Sequence, residues 1–211
     1  MHEYVPLWVK SNHSFLEGAS FPEELVDQAH ALGLPALAMT DRDGVYGLVR
    51  AHMRAKEIGL RLLTGAQLAL DVNGSEHTVV ALAKTREGYG RLCRALSRGH
   101  ARCEKGVSLL HLDDLHELEG LFFLCPSSAP LRALHAMHGP SSLFALCVRQ
   151  MTDRERPFER RLREVAKELG IAPVGANEVL YHDGARRPLQ DVLACIRGGN
   201  VLSEAGYVIR P

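Results

Sequence analysis

Two apolar runs in this sequence stop at loops crowded with ionisable groups. The stretch "LWVKSNHSFLEGAS", residues 7–20, brings Trp8 and Lys10 to a loop with His13 and Glu17, and "LAMTDRDGVYG", residues 37–47, ends at Asp41, Arg42 and Asp43. In parallel α/β folds the strands' C-terminal ends converge on one pocket, and the chemistry gathers there. Later strand-like runs add Gln67, Lys84, Cys125, Arg149, Asn177, Glu178 and His182 to the same set of ends. Groups of these types suit metal-assisted hydrolysis, in which each divalent ion needs about three or four nitrogen, oxygen or sulfur ligands. Here cations outnumber the plausible ligands.

Other chemistries lack their anchors. There is no GxGxxG after a strand, no GxxxxGK[ST] and no GxSxG, which removes the dinucleotide, P-loop and serine-hydrolase readings. His135 and His138 are three apart on a helical pattern, where a solvated face explains them at least as well as a metal does. Asp113 and Asp114 in "LDDL" read as a helix cap. The run "RERPFERRLREVAKE", residues 154–168, interleaves bases with glutamates as an exposed helix does.

The elements that must position these groups follow from periodicity. A chain of 211 residues with 46% hydrophobic residues can bury a full core, and a single domain over 1–211 is expected. Strand-like runs alternate with amphipathic helices almost throughout. Ser20 with Glu23 suggests a capping box, with Pro22 in the first turn and Leu25, Ala29 and Leu32 on one face. A helix is expected over 46–58, closed by Gly59, and "DVNGSEH" is a hairpin signal between two strands. Tyr89, Leu92, Cys93 and Leu96 share one helical face, so Cys93 is expected to be buried. Three further strand and helix units begin at "LFFLC", "LFALCV" and "IAPVGA", giving seven strands and six main helices. Periodicity does not choose between a doubly wound sheet and a barrel. The final "NVLSEAGYVIRP" reads as the start of another strand, as if cut from a longer chain.

Composition narrows the partners. Basic and acidic residues are equal at 25 each, and no basic stripe stands out, which weighs against direct DNA binding by this domain. Five scattered cysteines without a CxxC indicate neither a disulfide framework nor a zinc knuckle. No signal peptide or membrane span is evident, so a cytoplasmic protein without a membrane partner is expected.

Three blocks then carry a resemblance: "NHSFLEGASFPEELVDQAHALGLPALAMTDRDGVYGLVRAH", "ALAKTREGYGRLCRALSRG" and "ANEVLYHDGARRPLQDVLACIR". They resemble the PHP (polymerase and histidinol phosphatase) domain of bacterial DNA polymerase III alpha subunits, and most of all its error-prone branch. The resemblance implies a distorted seven-stranded (β/α) barrel of TIM-like kind, and a parent chain that is a DNA-directed DNA polymerase of repair or damage tolerance. Active family members are metal-dependent phosphoesterases, and some proofread as 3′–5′ exonucleases. Carried onto this sequence, the family's metal cleft falls on Trp8, Lys10, Glu17, Asp41, Arg42, Gln67, Arg149, Glu178 and Leu180, with most ligands replaced.

That pattern implies a degenerate site without a cofactor. The module would then be structural, docking onto the polymerase domain of the same parent chain, with other repair-polymerase subunits as further candidates. Lys10, Arg42 or Arg149 would pair with Asp41, Glu17 or Glu178, and Trp8 would fill an imidazole's place. The alternative is a phosphoesterase or exonuclease using manganese or zinc. Its altered ligands would come from His13, Glu17, Asp41, Cys125, Glu178 and His182.

Overall fold

The computed structural model describes residues 4–116, 119–148 and 155–206. Its elements run β1 (Trp8–Val9), α1 (Pro22–Ala31), β2 (Ala36–Met39), α2 (Leu48–Ile58), β3 (Arg61–Val72), β4 (Ser75–Ala83) and α3 (Arg86–Arg102). There follow β5 (Leu110–His111), β6 (Leu121–Cys125), α4 (Ser128–His138), β7 (Leu143–Cys147), α5 (Glu155–Glu168), β8 (Ala172–Gly175), β9 (Glu178–Val179) and α6 (Arg187–Gly198).

The strands curl into a ring. The main sheet has the order β2-β3-β4-β6-β7-β8, while β9 pairs in parallel with β1. The backbone N–H of Thr40 donates to Val9 at 2.9 Å and that of Ala38 to Pro6 at 3.0 Å, which lays β1 beside β2. Only Ala176 and Asn177 separate β8 from β9, so these two strands are halves of one stave. Counted this way the ring has the seven staves expected of the barrel. Its distortion is local: β4 alone runs against its neighbours, because the Asn73-Gly74 turn, with both residues at positive φ, folds it straight back onto β3.

Alternation along each strand sorts the core into an inside and an outside. Trp8, Ala38, Val80, Leu82, Leu124 and Leu146 pack together within the ring. Their neighbours Leu68, Val79, Ala81, Phe123 and Ala145 face outward under α3, α4 and α5, and Val9, Leu37 and Met39 face α1 and α2.

Several local expectations change. The cap of α1 is Phe21, whose N–H donates to Glu24 at 2.8 Å, rather than Ser20 with Glu23. Ser20 is turned toward His182 instead. The second helix begins at Leu48, two residues later than expected. On α3 the buried face is Gly88, Leu92, Ala95, Leu96 and Gly99, leaving Tyr89 and Cys93 only partly covered at its edge. After α6 the chain makes a 3₁₀ turn at Leu202–Glu204 where a strand was expected; residues 207–211 lie outside the described set. Among the described residues no helix is long and apolar enough to cross a membrane.

Candidate functional site

β1 and the loop after it, the β9 stave and α6 enclose a cleft of about 430 Å³, whose lining includes Trp8, Lys10, Glu17, Gln67, Glu178 and Leu180. Two carboxylates sit in it. Glu17 is 5% exposed and the side chain of Glu178 4% exposed, and carboxylates so buried call for polar partners. Lys10 supplies one, with Nζ 2.5 Å from Glu17 Oε2 and 2.5 Å from Glu178 Oε1. Arg42 Nε adds a contact to Glu17 Oε1 at 3.2 Å, and Arg197 of α6 closes on the same oxygen. A ring of positive groups thus occupies the carboxylate oxygens.

The apolar wall is equally committed. Trp8 donates its Nε1–H to Gln67 Oε1 at 2.9 Å, and Lys10 lies 5.5 Å from the centre of the Trp8 ring. Gln67 is itself held through its backbone: its N–H donates to Asp41 and its carbonyl accepts from Asp43.

Asp41 plays a different part from the other acids. It is 1% exposed and accepts from the Ser11 N–H at 2.6 Å, Ser11 Oγ at 2.8 Å and Ser14 Oγ at 2.7 Å. These donors satisfy both oxygens and pin the first loop to the second. Gly47 is required beside it, since a Cβ there would come 2.8 Å from Asp41 Oδ2 and 2.9 Å from Ser11 Oγ. Next in the chain, burial pushes the Asp43 carboxyl above its ordinary value, opposed by the N–H of Ala69 and the charges of Arg42 and His100.

Other candidates are placed elsewhere. Cys125 lies fully buried on the helix side of β6, where burial raises its thiol well above the ordinary value. His13 packs its ring edge against Gly47, and its Nε2 is buried without a hydrogen-bond partner among the described residues. His182 has Nδ1 2.7 Å from Ser20 Oγ and donates its backbone N–H to the same oxygen at 2.9 Å. With the Ala19 N–H on the Leu180 carbonyl at 2.7 Å, it clips the first loop to the last stave. His138 holds the Leu115 carbonyl at 2.9 Å rather than joining His135 in a ligand pair. Arg149 lies outside the described residues. Arg197 was not legible as a site residue, because nothing in the local pattern of α6 marks it.

The donor set does not suit a divalent ion. Among the described residues no three of His, Cys, Asp and Glu converge as a ligand group. The two cleft carboxylates already carry ammonium and guanidinium groups, and Asp41 is saturated by serines.

The family model that matches this chain is the PHP domain, over residues 7–179. The chain belongs to the PHP-domain family. It is 37% identical over 222 residues to the error-prone DNA polymerase of Anaeromyxobacter sp. (strain K), covering 99% of this chain and 20% of that protein. It is 38% identical over 213 residues to error-prone DNA polymerase 1 of Agrobacterium fabrum, covering 97% and 19% respectively. This PHP chain therefore spans about one fifth of the length of those curated relatives. Among solved structures, a candidate metal-dependent phosphoesterase from Bifidobacterium adolescentis matches with a TM-score of 0.61 at 16% identity, over 87% of this chain and 89% of that one. An amidohydrolase from Chromobacterium violaceum, solved with sulfate and no metal, matches at 0.59 and 16%, over 86% and 89%. At such identity these two likenesses concern the PHP fold alone.

Proposed function

We propose that this chain is a non-catalytic PHP module of an error-prone polymerase, serving as a structural platform for the polymerase region. The observation that carries the reading is Lys10, whose Nζ bridges Glu17 and Glu178. An ammonium group can neutralise those carboxylates as a metal ion would, yet it cannot lower the pKa of a bound water to make a nucleophile. The scaffold of a hydrolytic cleft is then kept for its shape and stability.

A second feature supports the docking role. Leu189, Val192 and Ile196 fall at i, i+3 and i+7 of α6 and are all exposed, and Val201 and Leu202 extend this apolar surface. Relatives five times as long as this chain have ample polypeptide to cover it.

The test is metal content after dialysis against manganese, followed by turnover of a generic phosphodiester. The proposal expects metal far below one ion per chain and turnover no greater than that of a Glu17→Gln variant. Stoichiometric metal with turnover abolished by a chelator would refute it.

A further inference from the structure

Helix α3 carries a charge pattern that the balanced total conceals. Residues 84–105 hold seven lysines and arginines against two glutamates, in a chain whose basic and acidic totals are equal. Arg91, Arg94, Arg98 and Arg102 follow one another at spacings of three and four, so they form a stripe along the helix, off the face that packs on the barrel. Arg91 has Glu119 at 3.7 Å and Arg102 holds Asp114 at 2.7 Å. Exposed Arg94 and Arg98 have no ion-pair partner among the described residues.

Most arginines of the other surface helices are paired. On α2, Arg50 is paired with Glu23 and Arg54 with Asp27 and Glu57, and on α5, Arg163 is paired with Glu159 and Arg161 with Glu164, while Arg156 and Arg160 of α5 have no ion-pair partner among the described residues. Like charges four apart weaken a helix by a few tenths of a kcal/mol each, so the row on α3 opposes the helix that carries it. A polyanion would remove that repulsion.

We propose that this face of α3 is a contact surface for the phosphate backbone of DNA. The stripe from Arg91 to Arg102 is about 16 Å long, and one strand of a duplex presents about five phosphates over that distance. The residues exposed between the arginines are small, Ser97 and Ala101, and no large hydrophobic residue of α3 is exposed. A protein partner would be expected to find an apolar or aromatic anchor at the centre of its interface. A row of guanidinium groups without such an anchor fits a sequence-independent backbone contact instead. The surface is separate from the cleft, and the inference does not depend on whether that cleft is catalytic.

Fluorescence anisotropy of the 211-residue chain with a labelled mixed-sequence duplex, at low and near-physiological salt, tests this. The wild type is expected to bind at low salt, with the logarithm of affinity falling against the logarithm of salt with a slope of about −3. The double variant Arg94→Glu/Arg98→Glu should bind at least about tenfold more weakly and lose about 2 from that slope. Lys56→Glu/Arg61→Glu makes the same change in net charge at exposed positions outside α3 and should bind like the wild type. Unchanged circular dichroism would show that the α3 variant folds. Three results would overturn the proposal: no binding by the wild type at low salt, equal losses in the two double variants, or displacement of the duplex by polyglutamate as readily as by unlabelled DNA. The last would assign the stripe to an acidic protein.

Discussion

Lys10 Nζ stands 2.5 Å from a carboxylate oxygen of Glu17 and 2.5 Å from one of Glu178, tying the loop after β1 to the β9 stave. The ammonium group is 4% exposed, so water does little to screen it. Removing one member of a buried ionic group leaves the others uncompensated, at a cost of about 3–5 kcal/mol. Lys10→Met should lose stability on that scale in urea titration at neutral pH, although Arg42 and Arg197 still reach Glu17. A variant with the wild-type denaturation midpoint would show the pairing to be incidental.

Backbone crowding gives a second expectation. A Cβ at Gly18 would lie 2.0 Å from the Ser11 carbonyl oxygen, and neither side of that contact is a flexible side chain. Gly18→Ala should therefore cost about 3 kcal/mol and disturb the loop that holds Glu17. At Gly175 in β8 nothing lies within 4 Å of the added atom, and Gly175→Ala should be neutral or stabilise by up to about 1 kcal/mol. Thermal melts of the two variants side by side would separate a real clash from a general intolerance of glycine replacement.

The pair Arg102–Asp114 sets a pH dependence. Asp114 accepts from Arg102 at 2.7 and 3.1 Å and from the His111 N–H at 2.9 Å. The Arg102 hydrogen bonds hold its carboxyl below the ordinary 3.8, so the unfolded chain takes up this proton first as pH falls. Its contribution to stability is thus full above about pH 4 and is lost as pH drops through the lower, folded-state value. Asp114→Asn should destabilise the protein by about 1–2 kcal/mol at neutral pH, with Arg102 half in solvent moderating the effect. The difference from wild type should shrink in acid, and a gap constant from neutral pH to pH 3 would contradict the assignment.

Much of this was legible in the chain. The apolar runs of β2, β4, β6 and β7 and the Asn-Gly turn marked most of the strands, since burial on both faces writes itself into composition, whereas their closure into a barrel was implied by the family resemblance alone. The stave formed jointly by β8 and β9 did not stand out as split, because two residues of irregular backbone leave no pattern. Glu17 and Lys10 were legible as neighbours in the first loop, whereas Arg197 reaches the cleft only because α6 folds back across it. Cys125 was placed among the strand-end groups although alternation puts it on the same side of β6 as Leu121 and Phe123, under the helices. Ser20 was read as a helix cap by local spacing, and a tertiary contact with His182 took it instead. The stripe on α3 was obscured by a net charge taken over the whole chain.

The most direct measurement is an anomalous difference map from a crystal of this chain soaked in manganese. The account predicts no peak between Glu17 and Glu178, with the Lys10 ammonium group in density at that position. A manganese peak within about 2.2 Å of those carboxylate oxygens, with Lys10 displaced, would contradict it.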